Sequence, residues 1–414
     1  MLNNKIIISL IIFLNFLSFF IGFFFFEEHG ASALDSKEHT YPAIEGLRQN
    51  FVNNIISFGK YGEHSYPFHH IIFAYLNPFE VGSFFFRLMS ICWSFLILII
   101  LFKIIKDRFN FKYLEILFLS SLILLSPYFR TSAFWGMTEN TGLLFLLLSI
   151  HFYNRFKNDV NLISLCFVCI FSSLALYSRL QYLFICLFFF SELLISISNK
   201  KRIILIITYC LLSIPALVLI YYWGGLIDEQ HVGEFSSVIN FITLPRTILV
   251  IFSLIGFYSL PFLICLISSY KTLLKGYGVR YLIALLVCLF IFYTFNIDIL
   301  SLNQNRDYAY GQGFIANYFY KLTNIQESYL LLSALGFCVL IHLFDTLKNK
   351  ILIITLIFVL SFRVHFFTEY LDPLLFVLTL CLLDIKSIKK ITKLKNIIIM
   401  ELFFISTLFG AILL

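Results

Sequence analysis

The chain of 414 residues is 60% hydrophobic and only 13% charged, which excludes a water-soluble globular fold, where charged residues make up about a quarter of the chain. Lipid is the solvent this composition requires. The net charge of +7 would suit either a nucleic-acid partner or basic cytoplasmic loops, and the placement of the charges separates the two.

Lys5 precedes an apolar run over 6–26, too long for a signal-peptide core and without a small-residue cleavage motif before Glu27, so a retained first helix is expected. Further apolar runs lie at 83–102, 113–128, 133–153, 161–176, 182–198, 203–222, 247–269, 281–297, 328–346, 351–367, 370–383 and 396–413. The expected fold is a single all-α polytopic domain over 1–414, with about thirteen transmembrane helices. With Lys5 in the cytoplasm, alternation places twenty of the 30 Lys and Arg on that side, among them Lys103, Lys106, Arg108, Lys200, Lys201, Arg202, Lys389 and Lys390. Such a bias is the signature of membrane orientation, so nucleic acid is not the partner.

The opposite face carries the longer loops, 27–82, 223–246 and 298–327, and most of the acidic and amide residues. Patterns over 42–58 and 67–76 predict amphipathic helices lying along the interface in the first of these loops. All nine cysteines fall in apolar runs and read as small core hydrophobes; Cys166 and Cys169 form a CxxC, but no second pair accompanies them, so neither a metal nor a cofactor is expected.

Candidate reactive groups follow in chain order. Asp35 and Glu38, before His39 and Tyr41, could take a proton from a sugar hydroxyl, although an ordinary solvated loop would look the same. Glu139 and Asn140 stand inside an apolar helix, where an ionisable group is functional or paired; Arg130 and Arg179 are the alternative partners for Glu139. Arg179 and Gln181, in Tyr177-Ser-Arg-Leu-Gln-Tyr182, suit a phosphate, or a snorkelling anchor at the membrane surface. Gly224 and Gly225 open a polar turn with Asp228 and His231, fit for sugar hydroxyls or for a plain turn. Asn303-Gln-Asn-Arg-Asp-Tyr308, with Asn305 and Arg306, is the densest polar run, and Glu369 begins another helix.

Taken together, Tyr66-Pro-Phe-His-His70, with His69 in it, Phe85-Phe-Arg-Leu-Met89 and Leu125-Ser-Pro-Tyr-Phe-Arg-Thr131 resemble the GT-C glycosyltransferases. Within them the order of motifs is similar to the dolichyl-phosphoglucose alpha-1,2-glucosyltransferase family. Trp135-Gly-Met-Thr-Glu-Asn140 stands where that family has Tyr-Tyr-Thr-Asp. Tyr177-Ser-Arg-Leu-Gln181 stands where it has Phe-Arg-Gln-Thr-Asn, and Gly224 to Val232 resembles its Gly-Gly segment. Asn305-Arg306 with Tyr308 resembles its Asp-Asn-Arg-His-Tyr, Glu38-His-Thr-Tyr-Pro42 its first-loop acidic motif, and Glu369-Tyr-Leu-Asp-Pro373 its late Glu-x-Arg-Tyr. Departures are Lys37-Glu38 for paired acids, Leu180 between Arg179 and Gln181, and Asp307 for a His.

The resemblance implies sugar transfer from a polyprenyl-phosphate donor to a glycan acceptor, itself lipid-linked, on the non-cytoplasmic face. It implies Glu38 or Asp35 as base, Glu38 being favoured, and Arg179, Gln181 and Arg306 around the donor phosphate. His39, Tyr66, His69, Glu139, Asn140, Gly224, Gly225, Asp228, His231, Asn303, Asn305, Tyr308 and Glu369 would line the substrate. A polymerase or ligase using undecaprenyl-pyrophosphate glycans, and a lipid-linked glycan flippase, are the alternatives. No Asn-x-Ser/Thr sequon occurs, which favours a bacterial inner membrane over the endoplasmic reticulum.

Overall fold

A computed structural model of the chain describes residues 4–29, 32–61, 65–225, 244–266, 270–295, 326–343, 346–361, 370–384 and 388–413. Among these residues all regular structure is helical and no strand forms. Helix α1 (Asn4–Phe24) leads to the short α2 (Ser32–Asp35), α3 (Tyr41–Gln49), α4 (Phe51–Ile56) and α5 (Phe68–Leu76), and then to α6 (Phe84–Arg108). There follow α7 (Tyr113–Ser121), α8 (Pro127–Trp135), α9 (Thr138–Asp159), α10 (Leu162–Ser178), α11 (Leu183–Ser196) and α12 (Asn199–Trp223). Further helices occupy Leu244–Leu266, Tyr270–Thr294, Leu330–Leu343, Leu347–Ser361, Leu374–Cys381 and Leu394–Leu413.

Among the described residues four helices, α1, α6, α12 and Leu394–Ile412, are long and apolar enough to cross a membrane, or five if Tyr113–Leu125 and Pro127–Trp135 form one bent span. A helix of 21 residues such as α1 rises about 30 Å, the thickness of bilayer hydrocarbon. Nearly the whole surface of α12 is bare: Ile203, Ile207, Leu211, Leu217 and Tyr221 are exposed. Only a lipid solvent makes so wide an apolar surface tolerable. The chain therefore has the makings of a helical membrane protein.

Three sequence expectations are corrected here. The run over 113–128 is broken, because Pro127 has no N–H to continue a helix and holds Ser126 extended (φ -69, ψ 121). The run over 133–153 starts instead at Thr138, since residues 133–135 finish α8 and Gly136 turns with φ 69. Cys92 and Cys210 are also exposed on α6 and α12, whereas Cys169, Cys186, Cys288, Cys338 and Cys381 are buried free thiols as the apolar runs implied.

The chain divides into two compact units. The first comprises Met1–Ser18, Arg108–Pro127 and Val238–Leu414. In it, Leu244–Leu266 and Leu330–Leu343 cross almost backbone to backbone. A Cβ on Gly256 would lie 2.1 Å from the Leu332 carbonyl oxygen, and one on Gly336 1.9 Å from that of Phe252. Glycine at both positions is what lets two helices approach so closely in lipid. Arg108 closes the end of Leu374–Cys381 by donating to the carbonyls of Leu380 (3.1 Å) and Leu382 (3.2 Å) and to the Asp384 carboxylate (3.1 Å). Asn15 of α1 donates its amide to Ser121 Oγ (3.2 Å) and to Glu401 Oε2 (3.3 Å), so these buried polar groups answer one another.

The second unit comprises Phe19–Asp107 and Tyr128–Ser237 and holds the described candidate residues. Its first-loop helices form where the sequence placed amphipathic patterns. The chain breaks at Asn50, which turns extended and accepts a hydrogen bond from the Asn53 N–H at 3.2 Å, starting α4. The apolar stripe of α3, Ala43, Ile44 and Leu47, packs with Phe58, Tyr66, Phe73 and Phe86 and with Trp223 from the end of α12.

Candidate active site

Beyond the last turn of α1 the chain delivers Glu27, whose N–H bonds the Gly22 carbonyl at 2.9 Å. The Arg130 guanidinium grips the Glu27 carboxylate with two nitrogens, Nε at 2.6 Å and Nη2 on the other oxygen. His29 Nε2 reaches the same carboxylate at 2.8 Å. Burial by itself would raise the pKa of Glu27, but the hydrogen bonds from Arg130 and His29 and the charge of Arg130 hold it down at about 2. The fork also explains Gly22: a Cβ there would stand 2.2 Å from Glu27 Oε2 and 2.3 Å from Arg130 Nη2. Trp135 Nε1 donates to the Glu27 carbonyl (3.1 Å), so α1 and α8 are tied by an ion pair and an indole at one end.

The segment Trp135 to Asn140, which joins α8 to α9, is the hub of the unit. The Ser36 hydroxyl lies 3.2 Å from the Trp135 carbonyl oxygen, Tyr41 OH donates to that oxygen at 3.1 Å, and Thr40 Oγ1 approaches Met137 Sδ at 3.9 Å. On the other side of the turn, Glu139 accepts from the Ser132 hydroxyl (3.2 Å) and from Arg179 Nη1. Asn140 donates its side-chain amide to Ser94 Oγ (2.9 Å) and to the Phe129 carbonyl (3.0 Å). Among the described residues, Asn140 Oδ1 and Gln181 Oε1 are buried without a donor. The Gly136 carbonyl accepts from His69 Nε2 at 3.0 Å, and His69 Nδ1 lies 2.7 Å from Thr141 Oγ1. A carbonyl can only accept, so Nε2 carries the ring proton and Nδ1 receives the Thr141 hydroxyl.

Asp35 and Glu38 lie on the far side of the same contact. After α2 the chain makes one wide turn over Ser36–Thr40, a geometry concentrated at functional sites. Ser36 and Thr40 face the hub and are buried, whereas Asp35, Lys37 and Glu38 are exposed. His39 Nδ1 donates to the Tyr61 carbonyl (2.8 Å), fixing the turn to the end of the loop. The Glu38 carboxylate makes no hydrogen bond or ion pair among the described residues.

Tyr66 stacks on Trp223 (centroids 5.7 Å apart, planes at 20°) and meets Tyr177 edge-on at 5.6 Å. Trp223 Nε1 donates to the Ile55 carbonyl (3.2 Å). Gly224, left-handed at φ 71, and Gly225 therefore leave α12 beside the first-loop helices. Burial, and then the neighbouring Tyr177, pushes the Tyr66 hydroxyl up to about 12, and burial does the same for Tyr41.

The structure thus joins Glu139 to Arg179, and links Asn140, His69 and the 35–41 turn to one connection. Of the two partners open to Glu139 it selects Arg179, because Arg130 is taken by Glu27. Asp228, His231, Asn303, Asn305, Arg306, Tyr308 and Glu369 lie outside the described residues. The sequence reading passed over Glu27, His29 and Arg87; an acid directly after an apolar run, with an arginine in a later run to answer it, was the available signal. No group of three His, Cys, Asp or Glu stands placed for a metal ion among the described residues. No family model matches the sequence, and no curated protein matches it.

Proposed function

We propose that the chain is a polytopic GT-C-type glycosyltransferase of about thirteen spans, moving a sugar from a polyprenyl-phosphate donor to a lipid-linked or surface glycan on the non-cytoplasmic face of a bacterial inner membrane. The observation that carries this reading is convergence. Three segments far apart in sequence, 35–41, 135–140 and 177–181, meet in one unit at the ends of apolar helices, and they are segments on which the family resemblance rests.

In this reading Glu38, exposed and without a cationic partner among the described residues, takes the proton of the acceptor hydroxyl, with Asp35 as the alternative base. The hydroxyl oxygen forms its bond to the anomeric carbon as the bond from that carbon to the phosphate oxygen breaks, and the electron pair leaves on the phosphate. A single displacement inverts the anomeric centre and needs no covalent enzyme intermediate. Negative charge grows on the departing phosphate, so fixed cations and donors at that point, Arg179 and Gln181 with Arg306, lower the barrier. Glu139 sets the direction of Arg179, and the free carbonyl oxygens of Asn140 and Gln181 suit sugar hydroxyls, which are donors. The two committed carboxylates, Glu27 and Glu139, hold the frame.

Membranes bearing the chain, supplied with radiolabelled polyprenyl-phosphate sugars, test the reading. Glu38→Gln should abolish transfer with expression unchanged, and Arg179→Ala should lower it strongly. Full activity in both variants, or turnover of lipid-pyrophosphate oligosaccharides alone, refutes it.

A further inference from the structure

Among the described residues, a buried cation of the second unit, Arg87, has no counter-ion. Arg87, in the first turn of α6 and only 3% exposed, donates Nε to the Phe134 carbonyl at 2.7 Å. Its Nη2 is buried and has no hydrogen-bond partner among the described residues. Besides that carbonyl the guanidinium meets rings, at 4.4 Å from the centroid of Trp135, 4.5 Å from Phe26 and 5.0 Å from Phe23. A buried guanidinium with one carbonyl and three aromatic faces lacks the anion that such groups are otherwise found with.

The nearby charges make that lack specific. The Glu27 carboxylate is already answered by Arg130 and His29, and Glu28 Oε1 accepts from the Ala33 N–H at 3.0 Å. Lys37, which is exposed, places Nζ 5.7 Å from the centroid of the same Trp135 ring and has no carboxylate partner among the described residues. Two cations therefore share one indole without an acid between them. Phe26, which covers the guanidinium, holds a left-handed backbone at φ 56, a conformation strained for a bulky residue and common at ligand clamps. Around it Phe24, Phe25, Phe84 and Phe85 are exposed, an apolar rim at the end of α1 and the start of α6, where a span meets the headgroup layer.

We propose that Arg87, with Lys37, is a binding site for the phosphate of a membrane lipid, which enters by displacing the Phe26 ring while its chain lies along the exposed phenylalanines. The free fork edge of a guanidinium matches a phosphate oxygen, and the rim matches a hydrocarbon or isoprenoid tail. This site is not the donor-phosphate site that the transferase reading gives to Arg179, Gln181 and Arg306; as a lipid-phosphate site it stands on Arg87 itself.

Purified full-length protein in detergent is titrated with farnesyl phosphate, farnesol, dioleoyl phosphatidylglycerol and inorganic phosphate, with the thermal midpoint and the bound mass in native mass spectrometry as readouts. Farnesyl phosphate should raise the midpoint saturably and appear as one bound copy, while farnesol and inorganic phosphate do neither. Arg87→Gln should weaken binding at least about tenfold, the loss of one charge-assisted hydrogen bond and its charge. Exposed Lys37→Gln, which leaves the core intact, should weaken it about threefold, and Arg87→Lys should retain part of the affinity. Equal binding of phosphatidylglycerol supports the lipid-phosphate site and assigns it to bilayer headgroups. Affinity unchanged in Arg87→Gln, or farnesol or inorganic phosphate binding as well as the lipid phosphate, overturns the proposal. Occupancy is read without an acceptor, so its failure leaves the transfer assay to judge the transferase reading separately.

Discussion

Glu27→Gln keeps the shape of the carboxylate gripped by Arg130 and removes its charge. Holding the carboxyl at about 2, against an ordinary 4.5, corresponds to about 3 kcal/mol at about 1.4 kcal/mol per pH unit. The same figure follows from the cost of leaving one partner of a buried ion pair alone, about 3–5 kcal/mol. Denaturant titration of the purified protein in detergent micelles should therefore show a loss of about 3 kcal/mol at neutral pH. The folded-state value is depressed, so this stability is fully present above about pH 4.5 and is lost as pH falls toward 2; over that range the wild type should converge on the variant. Adding Arg130→Met to Glu27→Gln should restore much of the loss, because the stranded guanidinium is then gone. A loss below about 1 kcal/mol, or a difference that does not shrink on acidification, would show that the pair is not the clasp between α1 and α8.

Gly22→Ala should reproduce much of the Glu27→Gln defect in the same titration, since its Cβ would occupy the place of the fork. Gly256→Val should lose about 1–3 kcal/mol by forcing two backbones apart, whereas Gly278→Ala, with nothing within 4 Å of the added carbon, should be neutral; equal effects would dismiss the close crossing. Asp35→Asn should keep transfer activity where Glu38→Gln loses it, and the reverse result would exchange the two acids as base. Arg179→Ala should destabilise the chain more than the double change Arg179→Ala with Glu139→Gln, as a double-mutant cycle of unfolding free energies will show.

Long apolar runs declared the helices because lipid and helix both demand unbroken hydrophobic length, and α1, α6 and α12 stand close to where the sequence placed them. The breaks were harder to read. Pro127 and Gly136 sit inside stretches apolar enough to read as single runs, even with Glu139 and Asn140 in the second, and the missing N–H of one and the left-handed backbone of the other end a helix there. The partner of Glu139 was narrowed to two arginines by sequence and decided only by geometry, since distance along the chain says nothing about which guanidinium faces which carboxylate. Arg87 looked like a routine basic residue near a helix start. Its burial under Phe26 and Trp135 is a tertiary fact that no local pattern encodes. The exposed position of Asp35 and Glu38 fits the plain reading of an acidic loop beyond the first span, whereas the turn that buries Ser36 and Thr40 beside them is a tertiary fact.

The contact of Asn15 with Glu401 spans 386 positions and ties the opening helix of the chain to its closing one. Synthesis must pass position 401 before the amide can meet this carboxylate. Until then Ser121 is the acceptor that the amide of Asn15 has in this unit, and the carboxylate adds the second. Leu394–Leu413 therefore acts as a latch on α1: a chain that lacks it leaves Asn15 with Ser121 alone and without the carboxylate.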